Sequence, residues 1–332
     1  SGVVHKLDSD GNYIWHFEMG GKGSHLVYLT AIAVDSAGNV YASGHFEKSL
    51  VVNKQPYESK KYKNEYTSDL FTLKLDPDGN FKWFKRWGGI GDDFLTDIAI
   101  GPNDNLFLVG HLQRGGYLDP ESYEAWVGNA EPGPDDDENP HNDFFGKSSR
   151  TAYGAFVLKL DPEGKVKFAE PWGVPSANKR GHVKAFSVAI QADGTVISTA
   201  TFTKKIAVAT VNGSEKLIGD NSKKRQTGLL RAINPVTGEY KWHVPFQTDS
   251  NKVDMAPTAL TLGPAGDIYV GGYFRNPAKN NSIPAPKRLF DPARDSTKLD
   301  SSGSGTLLAR SNSAFLVKTN KVGEGIWAYQ WA

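Results

Sequence analysis

Cysteine is absent from all 332 residues. That excludes disulfides and thiolate zinc centres, and with them the stapled mini-domains that depend on either. It does not fix a compartment. A charge excess is missing too: 38 basic and 37 acidic side chains leave a net +1, so the basic stripe of a nucleic-acid binder is not there. No apolar run approaches the roughly 20 residues that cross a bilayer as a helix. The first residues, SGVVHKLD, are not a basic-then-apolar leader. Helical periodicity is lacking throughout. No His-x-x-x-His pair, no G-x-S-x-G elbow and no thiol nucleophile is present, which removes the commonest hydrolase signatures.

What the chain does have is aromatics at 11%, hydrophobics at 39%, and a hairpin spelled five times. VVHKLDSDGNYIWHF begins at Val3, LFTLKLDPDGNFKWF at Leu70, AFVLKLDPEGKVKFA at Ala155, LLRAINPVTGEYKWHV at Leu229 and AFLVKTNKVGEGIWAY at Ala314. A second hairpin alternates with it: TAIAVDSAGNVYASGHF from Thr30, TDIAIGPNDNLFLVGHL from Thr96, FSVAIQADGTVISTATF from Phe186 and TALTLGPAGDIYVGGYF from Thr258. Gly, Asn, Asp and Pro sit where turns need preset or positive φ, between β-branched and aromatic runs. Together the two hairpins make a four-stranded unit, and its repetition predicts an all-β fold, a β-propeller of four-stranded antiparallel blades.

Small side chains at alternate positions, such as Ala31 and Ala33 or Ser187 and Ala189, place the second hairpin innermost in each blade. The bulky residues of the first hairpin, Trp15, Trp83, Phe168, Trp242 and Trp327, are expected to fill the wedges between blades. Blade-like units are expected at about 28–87, 95–172, 184–245 and 257–331 of a single domain, with an extra outer hairpin at 3–17. That hairpin has no inner partner in the sequence. An unpaired sheet edge of this kind is one that natural proteins normally avoid.

The stretches IAVDSAGNVYASG and FVLKLDPEGKV resemble the bacterial SBBP-type β-propeller repeats. One unit, INPVTGEYKW, is more similar to propeller repeats of the pyrroloquinoline-quinone type, and KTNKVGEGIW has lost the turn aspartate. The resemblance implies the fold and an extracellular or cell-surface setting. It implies no particular activity.

Both tight turns of each unit fall on one face, so the insertions at 47–68, 113–153, 203–227 and 275–313 elaborate the other. Binding is expected there. In the second insertion Tyr117, Tyr123 and Trp126 are the residues suited to stack on a sugar or anchor a protein. Asp92, Asp93 and His182 lie in the links between units and reach the same face. Asp135, Asp136, Asp137 and Glu138 are a candidate calcium cluster, since hard cations take several oxygens, although the EF-hand order is missing. The turns DSDGN, DPDGN and DPEGK resemble calcium-loop fragments, but turn chemistry alone accounts for them.

The expected function is a non-catalytic protein-binding or assembly module acting through its loops or through the open edge. Glycan recognition is the alternative, followed by a propeller hydrolase or lyase. Apart from calcium no cofactor is expected.

Overall fold

The computed structural model describes residues 1–20, 26–62, 65–89, 91–113, 116–117, 126–127, 153–173, 182–211, 214–219, 225–246, 254–275 and 312–331. These residues are almost entirely β-structure; the one helical element among them is a single 3-10 turn at Pro102–Asp104. The chain divides into two compact units, Ser1–Pro171 and Trp172–Ala332.

The first unit opens with a two-stranded hairpin, β1 (Gly2–Leu7) and β2 (Tyr13–Met19). A four-stranded antiparallel sheet follows. Its inner pair is β3 (Val27–Val34) and β4 (Val40–Glu47). Two small hairpins interrupt it, β5 (Ser49–Val52) with β6 (Gln55–Glu58) and β7 (Lys61–Tyr62) with β8 (Glu65–Tyr66). The outer pair, β9 (Ser68–Leu75) and β10 (Phe81–Trp87), completes the order β3-β4-β9-β10. The next sheet repeats the plan with β11 (Phe94–Ile100), β12 (Leu106–Gln113), the short pair β13 (Gly116–Tyr117) and β14 (Trp126–Val127), then β15 (Tyr153–Leu160) and β16 (Val166–Trp172).

The second unit holds two more such sheets. One is β17 (His182–Ile190), β18 (Val196–Thr203), β21 (Thr227–Ile233) and β22 (Tyr240–Phe246), interrupted by the hairpin β19 (Ile206–Val211) with β20 (Ser214–Ile218). The other is β23 (Asp254–Leu262), β24 (Ile268–Arg275), β25 (Asn312–Thr319) and β26 (Gly325–Trp331). The described residues therefore hold four four-stranded blades and one outer half-blade, as the repeats predict.

The repetition extends to backbone irregularities. Every inner pair shifts register at the same place, between Leu29/Ala31, Leu95/Asp97, Ala185/Ser187 and Pro257/Ala259. A bulge adds twist and bends the strand, so each blade acquires the same curvature. Between neighbouring sheets lie apolar cores. Val4, Met19, Phe46, Phe71 and Leu73 fill the space between the hairpin β1–β2 and the first sheet. Tyr41, Leu70, Trp87, Leu108 and Phe156 fill the next, and Leu230, Phe246, Met255, Val270 and Phe315 that of the second unit.

Two segments read from sequence as loops, 47–68 and 203–227, contain hairpins. The chain SLVVNKQPYE carries its own β signal, with Asn53 and Lys54 both at positive φ in the turn. Leu50 and Val52 are buried, and Val51 bridges Gly20 at the end of the preceding hairpin. In the second unit Ala207 bridges Gly173 in the same way. There the strap is held by Arg231, fully buried, whose Nε donates to the Val208 carbonyl at 2.8 Å and whose guanidinium stacks 4.8 Å from the Trp172 ring. Replacing Arg231 with alanine removes a charged hydrogen bond, a cation–π contact and a buried volume together. The second unit is expected to lose about 3 kcal/mol, read as a lower urea midpoint at unchanged slope.

Candidate functional site

In each sheet the order inner–inner–outer–outer puts both hairpin turns at one end and the interrupting segment at the other. At the turn end, three carboxylates close their own turns. Asp76 accepts from the backbone N–H groups of Asp78 and Asn80 and from the Asn80 side chain, and the Asn80 amide holds its carboxyl down at about 2. Asp8 and Asp35 repeat the pattern with Asn12 and Asn39. These turns use their carboxylates to close themselves.

The opposite end of the first unit gathers polar groups. Gly88 and Gly89 leave β10 and lead to Asp92 and Asp93, ahead of β11. Asp93 is fully buried; it accepts from Gly89 N–H at 2.7 Å and Gln113 N–H at 3.0 Å. Asp69, at the start of β9, is 2% exposed, accepts from Lys60 N–H and stands 3.7 Å from an Arg86 guanidinium nitrogen. Both carboxylates crowd Gly88. A Cβ there would lie 2.8 Å from Asp69 Oδ1 and 3.1 Å from Asp93 Oδ2, and its φ of 151° already disfavours a side chain. Burial, reinforced by the Asp69 charge, pushes the Asp93 carboxyl well above the usual carboxylate range. Burial also raises Asp69, to about 7, against the opposing pull of Lys60 and Arg86. The pair is thus a buried carboxyl joint between the two sheets of this unit, both members shifted toward the protonated form by burial. Gly88→Ala is expected to destabilise this unit by about 2 kcal/mol or more through backbone strain and clash, measurable as a lowered thermal midpoint.

Beside the joint runs a chain of rings. Tyr28 stacks on His45 at 4.9 Å, His45 meets Phe94 edge-on at 4.9 Å, and Phe94 contacts His111 at 5.2 Å and Tyr153 at 6.4 Å. His45 Nδ1 is buried without a hydrogen-bond partner, and burial lowers the imidazole to about 4. It is neutral at ordinary pH. Among the described residues no group of three or more His, Cys, Asp or Glu is placed to hold a metal ion.

Of the residues singled out in the sequence, Asp93 is buried in the joint and Asp92 lies beside it, accepting from Ser68 N–H at 3.3 Å. His182 starts β17 in the second unit, where its backbone N–H donates to Thr203 Oγ1 at 3.2 Å. Tyr117 and Trp126 are backbone partners in the β13–β14 register. Tyr123, Asp135, Asp136, Asp137 and Glu138 lie outside the described residues. Asp69, Arg86, His45, His111 and Tyr153 were not anticipated. A signal existed for the two histidines, which recur at one repeat position in ASGHF and LVGHL.

A second candidate is the half-blade itself. It packs as a complete outer hairpin does: Lys6 Nζ and Trp15 Nε1 both donate to the Pro77 carbonyl, at 2.8 and 3.0 Å. Lys74 and Trp83 of β9–β10 do the same to Pro162, at 3.0 and 3.1 Å. Yet among the described residues no strand pairs with the other edge of β1. Leu73 and Leu75 in β9 are fully buried, whereas their repeat counterparts are His5, exposed, and Leu7, 55% exposed.

No family model matches the chain. A stretch of 116 residues, 34% of the chain, is 28% identical to an uncharacterized WD repeat-containing protein of Acanthamoeba polyphaga mimivirus, of which it covers 8%. The chain therefore spans a small part of that relative. Among solved structures, a Dyadobacter fermentans protein of unknown function aligns over 96% of this chain and 78% of its own at 9% identity, with a TM-score of 0.40. The periplasmic gluconolactonase of Pseudomonas aeruginosa aligns over 99% and 94% at 9% identity, with a TM-score of 0.29. Likeness at that level carries no activity across.

Proposed function

We propose that the chain is a non-catalytic, propeller-type assembly module of the SBBP-like kind, working at the cell surface or outside the cell, that binds a protein partner by strand addition to β1. The observation that carries this reading is the half-blade. Its outer two strands are docked with the same lysine and tryptophan contacts as a complete blade, while no strand among the described residues pairs with the edge where a complete blade carries its two inner strands. An open edge of backbone donors and acceptors is a template for another chain. The carboxylate joint supports the same reading from the other side: its acids are spent on backbone N–H groups that tie strands together.

Native mass and stoichiometry, with amide hydrogen exchange over Gly2–Leu7, test it. The expected result is a particle heavier than one 36.2 kDa chain, in which β1 amides exchange at least tenfold more slowly than in the isolated chain. A monomer at every concentration and with every candidate partner, its β1 amides exchanging freely, would sink the proposal.

A further inference from the structure

Directly after the tryptophan of an outer hairpin stands a residue paired across the strands with one fixed position of the repeat. Phe84 is opposite Leu73, His243 opposite Arg231 and Ala328 opposite Val317. Leu73, Arg231 and Val317 are fully buried. Two of these pairs are apolar packing, and the third puts a guanidinium on the Val208 carbonyl. In the half-blade the same pair is His16 opposite His5. Two imidazoles stand where the repeat elsewhere packs Leu against Phe or Val against Ala. A local departure from the packing that a repeat prescribes is where a functional site is to be sought.

The two rings have centroids 5.8 Å apart and planes tilted by 34°. A metal ion bonded at about 2 Å to one nitrogen of each ring lies about 3.2 Å from each ring centre. For angles at the metal from about 90° to about 180°, the ring centres are then roughly 4.5 to 6.3 Å apart. His5 and His16 meet that condition as they stand. His16 is also oriented, with Tyr13 Oη 2.7 Å from its Nδ1. When Nδ1–H donates to the phenol oxygen, the Nε2 lone pair is left for a metal, which is the outer hydrogen bond that metal-ligating histidines normally make. Glu18, two residues on and on the same strand face, adds a negative charge nearby. All of these groups belong to one hairpin, β1–β2, so that hairpin alone sets the geometry. Three other histidines lack one part of it. His243 has the same tyrosine contact, Tyr240 Oη at 2.7 Å from Nδ1, but stands opposite Arg231, whose charge repels a cation. His45 and His111 have Phe94 between their rings.

We infer that His5 and His16 together hold one divalent copper ion, with Tyr13 positioning His16. Two nitrogen donors with water in the remaining positions match the tetragonal shell of Cu2+, and of the first-row divalent ions copper is the one such donors bind most tightly. Zinc normally takes three or four protein ligands, and among the described residues no group of three or more His, Cys, Asp or Glu is placed to supply them. The inference goes beyond the assembly reading and does not rest on it. A bound ion cross-links the two strands of the half-blade through side chains that point away from its lysine and tryptophan contacts.

The test is titration of the full chain with Cu2+ in a non-coordinating buffer, followed by calorimetry and by electron paramagnetic resonance. One equivalent is expected to bind, with the spectrum of two coordinated imidazole nitrogens. His5→Leu and His16→Phe take their new residues from Leu73 and Phe84, the pair that packs at this place in the first sheet, so both should fold. Each should weaken copper binding roughly tenfold or more, since even outer-shell changes cost that much, and should leave one imidazole in the spectrum. Tyr13→Phe keeps both ligands and loses the oxygen that holds Nδ1, so the two-nitrogen spectrum should persist at an affinity about tenfold lower. Unchanged affinity in His5→Leu and His16→Phe would place the copper elsewhere, an adventitious ion only, and would overturn the inference. A parent chain that takes up no copper, or that shows a single imidazole, would overturn it as well. None of these results bears on strand addition to β1, which mass and hydrogen exchange decide.

Discussion

Replacing Trp83 with alanine should cost the first unit about 3 kcal/mol, the lower end of the range for deleting a packed indole. Trp83 is only partly buried, which argues against a larger figure. It nevertheless belongs to the core shared by the two sheets of this unit, covers Gly164, meets Tyr41 at 5.9 Å and donates to Pro162. The carbonyl is not orphaned by the change, because Lys74 still donates to it at 3.0 Å. Most of the loss is therefore packing. Trp83→Phe, which keeps a ring over the glycine and gives up the hydrogen bond, should cost nearer 1 kcal/mol. Urea denaturation of both variants decides it: equal losses would mean that the indole N–H, and not its surface, holds the sheets together.

The reason such an effect can be foreseen is that the repeat states its packing in its own spelling. Trp83 and Gly164 are far apart in the chain, yet each occupies a fixed place in a repeated hairpin, so one contact read once applies again at Trp15 and Trp242. The half-blade was legible for the same reason: five outer hairpins against four inner ones is a matter of counting. The insertion hairpin β5–β6 carried a local β signal in SLVVNKQPYE but lies outside the two repeated hairpins, and the packing of Leu50 and Val52 with Met19, Phe46 and Phe71 appears only in three dimensions.

The candidate site shows where sequence reading stops. Asp93 stood out because it lies in a link between units that reaches the elaborated face. Asp69 did not, since an aspartate opening a strand reads as an ordinary boundary residue. Their meeting at Gly88 depends on two sheets being adjacent, which no local pattern encodes. His45 and His111 share a repeat position, but the interposition of Phe94 between their rings, which denies them a common ligand, appears only in three dimensions.

That joint should make the protein lose stability as pH rises from 4 to 7. A carboxyl whose folded-state pKa is raised binds a proton more tightly when folded than when unfolded, so its contribution is complete below the unfolded value and disappears as pH climbs through the folded one. Asp69, raised by burial from 3.8 to about 7, fixes the window at roughly pH 4 to 7, and Asp93, raised in the same direction by burial and the Asp69 charge, adds to the decline. Asp69 alone corresponds to something on the order of 4 kcal/mol across that window. The groups facing the pair set the balance. Arg86 and the Lys60 N–H favour ionised Asp69, while Asp92 opposes ionisation of Asp93. The turn aspartates act in a different range: Asp76, held at about 2 by Asn80, contributes above the unfolded value and fails only in stronger acid. The two classes therefore separate on a plot of thermal midpoint against pH. Asp93→Asn removes one of the two raised carboxyls and leaves Asp69 raised by its own burial, so the decline between pH 4 and 7 should shrink by about half without vanishing. The infrared band of a buried protonated carboxyl should weaken with it. A midpoint that is flat or rising over that interval in the unaltered chain would show that the two aspartates ionise freely and that the joint is held by the charge of Arg86 instead of by a retained proton.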